Sequence, residues 1–183
     1  AERNGPRSVR GREELVISPV EQAALTDPAR SIVLVPRRSD GRMAPSVAPG
    51  LGEIGAFLPY SPLHHLLLTG FGGAVVATSG NVSGEPVLTD PAEAETRLAA
   101  VADAFLHHDR PIVRPADDSV VRIAAGRARP IRLGRGIAPL ELELPGEVPE
   151  PVLAVGGHLK LTVALAWGNR VVISPHVGDM GTR

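Results

Sequence analysis

The sequence predicts a protein of the α/β (α+β) class, in which helices flank a twisted mixed sheet. Short apolar runs of four or five residues have the length and composition of buried strands. Segments between them start with a helix-capping residue and a proline, and then place apolar residues at helical spacing. The resulting order is strand, helix, strand, loop, helix and then several strands, which is typical of helices packed on a mixed sheet.

The first 70 residues contain two predicted helices and one predicted strand. We expect a short helix over Pro19–Leu25 and a buried strand over Ser31–Val35. Ser61 followed by proline predicts the start of a helix over Leu63–Leu68, and Gly70 is expected to end it.

A second strand and a longer helix are predicted next. Ala74–Ala77 is a short apolar run that leads directly into a glycine- and serine-rich loop. Asp90-Pro91-Ala92-Glu93 has the form of a capping box, which predicts that a helix begins there. Apolar residues then recur at spacings of four, three and four, as one face of a helix requires: Ala94, Leu98, Val101 and Phe105.

The remainder divides into strand candidates on either side of a proline-rich, acidic segment. Before it we predict strands at Ile112–Arg114, Ser119–Ile123 and Pro130–Leu133. The segment Ala138–Glu150 is typical of a linker. After it we predict strands joined by turns at Gly156-Gly157 and Gly168-Asn169: Val152–Val155, Leu159–Trp167 and Arg170–Ser174.

Composition limits the possible functions. The 183 residues are 43% apolar and 21% charged, as in ordinary globular proteins. The formal net charge of −1 argues against a nucleic-acid arm or a membrane-surface patch. No apolar run approaches the roughly 20 residues that span a bilayer, and no signal sequence is recognisable. Cysteine is absent, so this stretch has no disulfide and no thiolate zinc site. We therefore expect a cytoplasmic protein, and the ends at Ala1 and Arg183 predict a fragment of a longer one.

The most informative segment is Thr78–Pro86, with the sequence TSGNVSGEP. Its glycines let a ligand approach the backbone closely, and its hydroxyl and N–H groups can donate to phosphate oxygens. It lacks the lysine and the glycine spacing of the common nucleotide loops. Composition alone therefore leaves two interpretations open, a phosphate-binding loop and a tight surface turn.

As a string, TSGNVSGEP resembles the TSGN-(L/V)-SGEP signature of the YrdC-like domain in the hydrogenase-maturation carbamoyltransferases, the HypF family. Other segments resemble family motifs in the same order, from residue 15 to 180: Val47–Gly50 (VAPG), Leu58–His64 (LPYSPLH), Leu106–Ile112 (LHHDRPI), Asp117–Arg122 (DDSVVR) and Arg135–Pro139 (RGIAP). Leu133, Leu161 and Pro175 depart from it, where the family usually has arginine, asparagine and glutamine.

The resemblance implies a YrdC-like domain over residues 1–138, a linker over 139–150 and the start of a TsaD-like, actin-like ATPase-type domain over 151–183. It implies that ATP, with Mg²⁺, and carbamoyl phosphate yield carbamoyl-adenylate. The carbamoyl group then passes to the C-terminal cysteine of HypE for the maturation of [NiFe] hydrogenase. Zinc is expected only in the full-length protein.

Carried over residue by residue, the motifs identify six site residues. Ser79 and Asn81 are the predicted catalytic residues. Nucleotide binding is assigned to Thr78, Ser79, Asn81, Ser119, Arg132 and Arg135. No metal ligand is assigned, because adjacent histidines on a helix or strand point to different faces. Asp117-Asp118 is expected to be a structural turn, and His176 is a candidate for the cleft of the second domain.

Other functions remain open from the sequence. A free-standing YrdC-type threonylcarbamoyl-adenylate synthase of tRNA modification shares the chemistry, but it tends to carry TSAN and to end before a second domain. O-carbamoyltransferases of antibiotic and nodulation pathways place the two domains in the opposite order. A module that binds double-stranded RNA without catalysis is a further alternative, although 3% aromatic residues provide few stacking platforms. The last alternative is that this stretch is a truncated fragment without catalytic activity.

Overall fold

The computed structural model describes residues 15–41, 43–82, 85–113, 115–158 and 161–178, and these form two compact units. Among the described residues, one unit consists of the chain up to Val76 with Asp118–Arg132, and the other of Ala77–Asp117 with the chain from Leu133 onward. The predicted fold class is confirmed, since helices accompany a mixed sheet. In the described part of the chain, no helix is long and apolar enough to cross a membrane.

The first unit is built on a four-stranded sheet in the order β2-β1-β3-β4. Its strands are β1 (Ile32–Pro36), β2 (Glu53–Ala56), β3 (Val120–Ala124) and β4 (Arg127–Arg132). β1 runs parallel to β3 and antiparallel to β2, and β3 runs antiparallel to β4, so the sheet is mixed. Gly55 opposes Leu34 in the ladder. A Cβ at Gly55 would lie 2.9 Å from Cγ2 of Ile32, so a larger residue there would require the side chain of Ile32 to shift.

Two helices belong to this unit, and local capping explains both. α1 (Pro19–Thr26) contacts β1 and β4. It starts with a full capping box: Ser18 N–H donates to Glu21 Oε2 at 2.7 Å, and Ser18 Oγ accepts from Glu21 N–H. α2 (Pro62–Phe71) is longer than predicted. It ends at Gly72 in the left-handed conformation, with φ of 74°, rather than at Gly70.

The core of the first unit lies where α1 covers the sheet. Leu25, Val33, Val35 and Val121 are the buried apolar side chains among the described residues. Val33 and Val35 alternate with half-buried neighbours along β1, as expected for a strand with one covered face.

The second unit contains α3 (Pro91–Leu98) and the two-stranded ribbon of β5 (Leu140–Val155) and β6 (Val163–Ile173). Asp90 Oδ1 accepts from Glu93 N–H at 2.8 Å, which confirms the predicted helix start. The predicted apolar stripe is wrong beyond Leu98, because the helix ends there and Val101 is 81% exposed.

Two strand predictions need correction. Residues 74–77 and 112–113 lie outside the strands, and Val76 and Val113 are 78% and 90% exposed. Arg114 lies outside the described residues. A short apolar run therefore did not find a ladder partner at either place. The turn predicted at Gly168-Asn169 is confirmed, because Gly168 has a φ of 54° and Ser174 N–H donates to the carbonyl oxygen of Val163 at 2.8 Å, so that the chain reverses between the two halves of β6.

The proline-rich segment forms most of β5 instead of an irregular linker. Leu140–Glu143 pairs with Arg170–Ile173, and Val152–Val155 pairs with Val163–Ala166. Register shifts separate these two stretches on either side of Val148. Prolines 145, 149 and 151 lack the N–H that a ladder needs, which explains the interruption. The domain boundaries proposed from the sequence stay a prediction.

Candidate functional site

The glycine-serine loop, residues 78–86, follows Ala77 in the second unit; Ser83 and Gly84 of its sequence lie outside the described residues. Thr78 and Ser79 are exposed, as residues that meet a ligand must be. No heavy atom of the described chain, apart from its chain neighbours, lies within 4 Å of the position of a Cβ at Gly80. The backbone of Gly80 is also outside the left-handed region. Neither packing nor conformation requires glycine here, and the space over the backbone is open.

Asn81 holds this loop together. Its Nδ2 donates to the carbonyl oxygens of Val82 at 3.0 Å and Glu85 at 2.9 Å. Its Oδ1 accepts from the hydroxyl of Ser79. Both amide protons and the amide oxygen are therefore engaged within the loop. This arrangement brings the two predicted catalytic residues together, with Asn81 in a positioning role for Ser79.

The far end of the loop is anchored on α3. Glu85 forms an ion pair with Arg97, which also pairs with Glu93 one helical turn away at 3.3 Å. Leu88 N–H donates to the carbonyl oxygen of Gly80 at 3.0 Å and closes the base of the loop. Sequence analysis missed Arg97. A signal for Arg97 was present in the sequence, because Glu85 places a negative charge at the end of the loop motif and a nearby arginine can pair with it.

Arg135, in the same unit, begins the last of the quoted motifs, RGIAP. Its N–H donates to the carbonyl oxygen of Asp117 at 2.8 Å. The neighbouring residue Gly134 is buried, and its carbonyl oxygen accepts from Ala138 N–H at 2.9 Å. A tight turn thus fixes the backbone on the C-terminal side of Arg135.

Ser119 and Arg132 lie in the first unit, where β3 and β4 meet. Arg132 opposes Val120 in the ladder, and its Nε donates to the carbonyl oxygen of Asp118 at 2.9 Å. Ser119 is completely buried, and its carbonyl oxygen accepts from Ile32 N–H at 2.8 Å. Its observed backbone role is to align β3 with β1. The six predicted residues are therefore divided between the units, with Thr78, Ser79, Asn81 and Arg135 in one and Ser119 and Arg132 in the other.

Other charged candidates have structural partners. Arg122 pairs with Glu53 at 2.6 Å across the sheet of the first unit. His107 lies 2.7 Å from Glu95 on α3. Oδ2 of Asp117 lies 3.2 Å from Nε2 of His176, so the carboxylate of Asp117 has a partner within the protein. Among the residues that the structure describes, no group of three or more His, Cys, Asp or Glu side chains could hold a metal ion.

The chain matches two family models in succession. Residues 7–134 match the Sua5/YciO/YrdC model, described as telomere recombination, and residues 147–183 match the HypF Kae1-like domain.

Curated relatives carry both parts in one polypeptide. A carbamoyltransferase HypF of Synechocystis is 45% identical over 163 residues, which cover 89% of this chain and 21% of that protein. A second, of Rhodobacter capsulatus, is 43% identical over 182 residues, with 96% and 24% covered. The chain thus spans about a fifth to a quarter of the length of these relatives.

Solved structures agree with this assignment. A full-length HypF in the phosphate- and nucleotide-bound form superposes with a TM-score of 0.81 at 39% identity, over 94% of this chain and 27% of that one. HypF of T. kodakarensis gives a TM-score of 0.79 at 35% identity, over 93% and 22%. By both family models and by these relatives, the chain belongs to the Sua5/YciO/YrdC family over residues 7–134 and, as a whole, to the HypF carbamoyltransferase family.

Proposed function

We propose that this chain is part of an ATP-dependent carbamoyltransferase and that its glycine-serine loop binds the nucleotide during the formation of carbamoyl-adenylate. The observation that carries the proposal is the open space over Gly80, beside the exposed hydroxyls of Thr78 and Ser79. A loop with donors on its surface and no side chain over its backbone suits close approach of a phosphate or carbamoyl group. The phosphate- and nucleotide-bound state of a relative supports this choice of ligand.

The proposed chemistry places limited demands on the protein. Hydrolysis of carbamoyl phosphate releases inorganic phosphate and leaves carbamate. An oxygen of carbamate then attacks the α-phosphate of ATP, the bond between the α- and β-phosphates breaks, and pyrophosphate leaves. Catalysis of such a step consists mainly of positioning and stabilisation of charge. Thr78 would donate a hydrogen bond to the reacting group. Asn81 would hold the hydroxyl proton of Ser79, so that Ser79 Oγ would accept a hydrogen bond from the carbamoyl amide. Arg132 and Arg135 would stabilise the charge of the phosphates.

Ser119 is the weakest member of the proposed phosphate site. Its side chain is completely buried, so a phosphate could reach its hydroxyl only after the covering residues moved. We therefore place Arg132 and Arg135 ahead of Ser119 as the residues to test. Mg²⁺ belongs to the proposal only as the usual companion of ATP.

The proposal also includes the acceptor and the cellular setting. The carbamoyl group would pass to the C-terminal cysteine of HypE in the cytoplasm, for the maturation of [NiFe] hydrogenase. Support comes from membership of the HypF family rather than from a contact in this chain. The HypF Kae1-like match over residues 147–183 favours this function over that of a free-standing threonylcarbamoyl-adenylate synthase.

The test is carbamoyl phosphate-dependent exchange of pyrophosphate into ATP, measured with the full-length gene product. Ser79→Ala and Arg132→Ala are expected to lower kcat/KM by about tenfold or more, because the first removes a hydroxyl that contacts the reacting group and the second removes a charge that stabilises its phosphates. Two matched controls remove the same kinds of group, a hydroxyl and a guanidinium, from positions outside the proposed site. Thr96→Ala removes a hydroxyl that bonds only within α3, and Arg129→Ala removes an exposed arginine of β4.

Exchange that requires threonine and bicarbonate, with no response to carbamoyl phosphate, would assign the chain to the synthase instead. Wild-type exchange in both Ser79→Ala and Arg132→Ala would refute the site. Salt-sensitive binding of double-stranded RNA with no nucleotide exchange would favour an RNA-binding module.

A further inference from the structure

A buried histidine connects the two parts of the chain that different family models match. His176 lies in the HypF Kae1-like match, and its side chain is only 7% exposed. Its Nε2 lies 3.2 Å from Oδ2 of Asp117, a residue of the Sua5/YciO/YrdC match. All the contacts of His176 described below lie within the second unit.

The hydrogen bonds define the form of the ring. Gly178 N–H donates to Nδ1 of His176 at 2.9 Å, so Nδ1 accepts and carries no proton. In a neutral imidazole the proton then lies on Nε2, which donates towards the carboxylate of Asp117. Both ring nitrogens have a partner, which is the usual condition for burying a polar side chain.

The same histidine also holds the chain around Arg135. Its N–H donates to the carbonyl oxygen of Leu133 at 2.7 Å. Asp117, in turn, accepts the N–H of Arg135 at 2.8 Å through its own carbonyl oxygen. Hydrogen bonds from His176 therefore fix the residues on both sides of Gly134. Leu133 is held by His176 directly, and Arg135 is held through Asp117.

The segment that carries His176 is itself well anchored. Ser174 N–H donates to the carbonyl oxygen of Val163 at 2.8 Å, and Val177 N–H donates to that of Leu161 at 2.9 Å. Leu161 N–H returns a bond to the carbonyl oxygen of Gly178 at 3.1 Å. These bonds join the chain that follows β6 to the chain at and before its start, and they give His176 a fixed base.

We propose that His176 is a positioning residue that sets the place of Arg135, and thereby makes phosphate binding depend on the Kae1-like segment. The link passes from the ring of His176 through Asp117 to the backbone of Arg135. The inference rests on the proposed function in one respect, the binding of phosphate by Arg135. The contacts of His176 do not depend on that function. We call the contact between Nε2 of His176 and Asp117 the clasp. A change in the Kae1-like segment that displaces His176 breaks the clasp and leaves Arg135 less firmly placed. Binding of phosphate at Arg135 in return favours the state in which the clasp is formed.

Two substitutions separate the long-range link from the local turn. His176→Asn keeps an oxygen close to the position of Nδ1, so it can accept from Gly178 N–H but cannot reach Asp117. His176→Gln places an amide N–H near the position of Nε2, so it can reach Asp117. Comparison of His176→Asn with His176→Gln therefore distinguishes loss of the clasp from loss of the histidine itself.

The measurement is pyrophosphate exchange in the full-length gene product, with KM for ATP and kcat determined separately. We expect His176→Asn to raise KM by about fivefold with kcat changed by less than about twofold, a typical coupling between linked sites. His176→Gln should keep KM within about twofold of wild type. In an Arg135→Ala background, His176→Asn should have no additional effect, because the residue through which it acts is gone.

Additive effects of His176→Asn and Arg135→Ala, or equal effects of His176→Asn and His176→Gln, would overturn the proposal. Hydrogen exchange at residues 133–135 tests the contacts without reference to activity. Faster exchange in His176→Asn than in His176→Gln is expected, and equal exchange refutes the clasp. A wild-type protein without pyrophosphate exchange would refute the proposed function alone, since the hydrogen-exchange comparison would still test the contacts.

Discussion

Gly80→Ala is the substitution that most directly tests the open space in the glycine-serine loop. The added methyl group meets no atom of the described chain within 4 Å, and the backbone conformation is one that alanine can adopt. The fold should therefore tolerate the change. Loss of glycine also reduces the freedom of the unfolded chain, which stabilises a protein by about 0.4–1 kcal/mol at compatible positions.

Ligand binding should respond in the opposite direction. If a phosphate or carbamoyl group occupies the space over Gly80, the methyl group takes up part of it. One carbon atom in a binding pocket typically changes the free energy of binding by about 1–3 kcal/mol, or roughly 10- to 200-fold in kcat/KM. We expect a loss of kcat/KM within that range, together with an unchanged or slightly raised Tm.

The assay pairs pyrophosphate exchange with thermal unfolding of the same preparations. Gly146→Ala is the matched control, because its Cβ also meets nothing within 4 Å and it lies in β5, outside the loop. It should change neither quantity noticeably. Wild-type kcat/KM in Gly80→Ala would show that no ligand occupies this space, and a fall in Tm by several degrees would show that the glycine is structural.

Three further changes have defined outcomes. Arg97→Ala removes the partner of Glu85 and should raise KM for ATP in the exchange assay, while the free energy of unfolding falls by less than about 1 kcal/mol, as is usual for an exposed ion pair. Val33→Ala removes two methyl groups from a fully buried site and should lower the free energy of unfolding, measured with urea, by about 2 kcal/mol. Hydrogen bonds from Arg38 hold the pKa of Asp40 below its ordinary value of 3.8, so Arg38→Ala should raise that pKa in an NMR titration. Any stability from this pair is present above the unfolded-state pKa and is lost as the pH falls through the lower folded-state value, and it is small because Asp40 is exposed.

Helix starts could be predicted because their signals are local. Ser61 and Asp90 each accept a hydrogen bond from the N–H three residues later, as their sequences indicate. Strands with a buried face, such as β1 and β3, were also recognisable from alternating or continuous apolar residues.

Predictions failed where the outcome depends on a distant partner. Residues 74–77 have the composition of a strand, yet no strand of the described chain pairs with them. The prolines of β5 are typical of a linker, but pairing with β6 overrides that local preference. The role of Asn81 within the loop and the contact of His176 with Asp117 likewise depend on geometry that spacing does not encode. The motif therefore identified the loop, and only the structure separated its exposed donors from the residue that holds them.

The ribbon of β5 and β6 determines where this protein can be divided. Leu140 pairs with Ile173 and Val155 pairs with Val163, so the proline-rich strand shares its ladder with residues of the HypF Kae1-like match. A cut between Pro139 and Glu150 would break this ladder and expose an unpaired strand edge, which favours aggregation. Proteolytic dissection, or exchange of modules between relatives, should therefore keep β5 with β6, and it should keep both with Leu133 and Asp117, which His176 contacts.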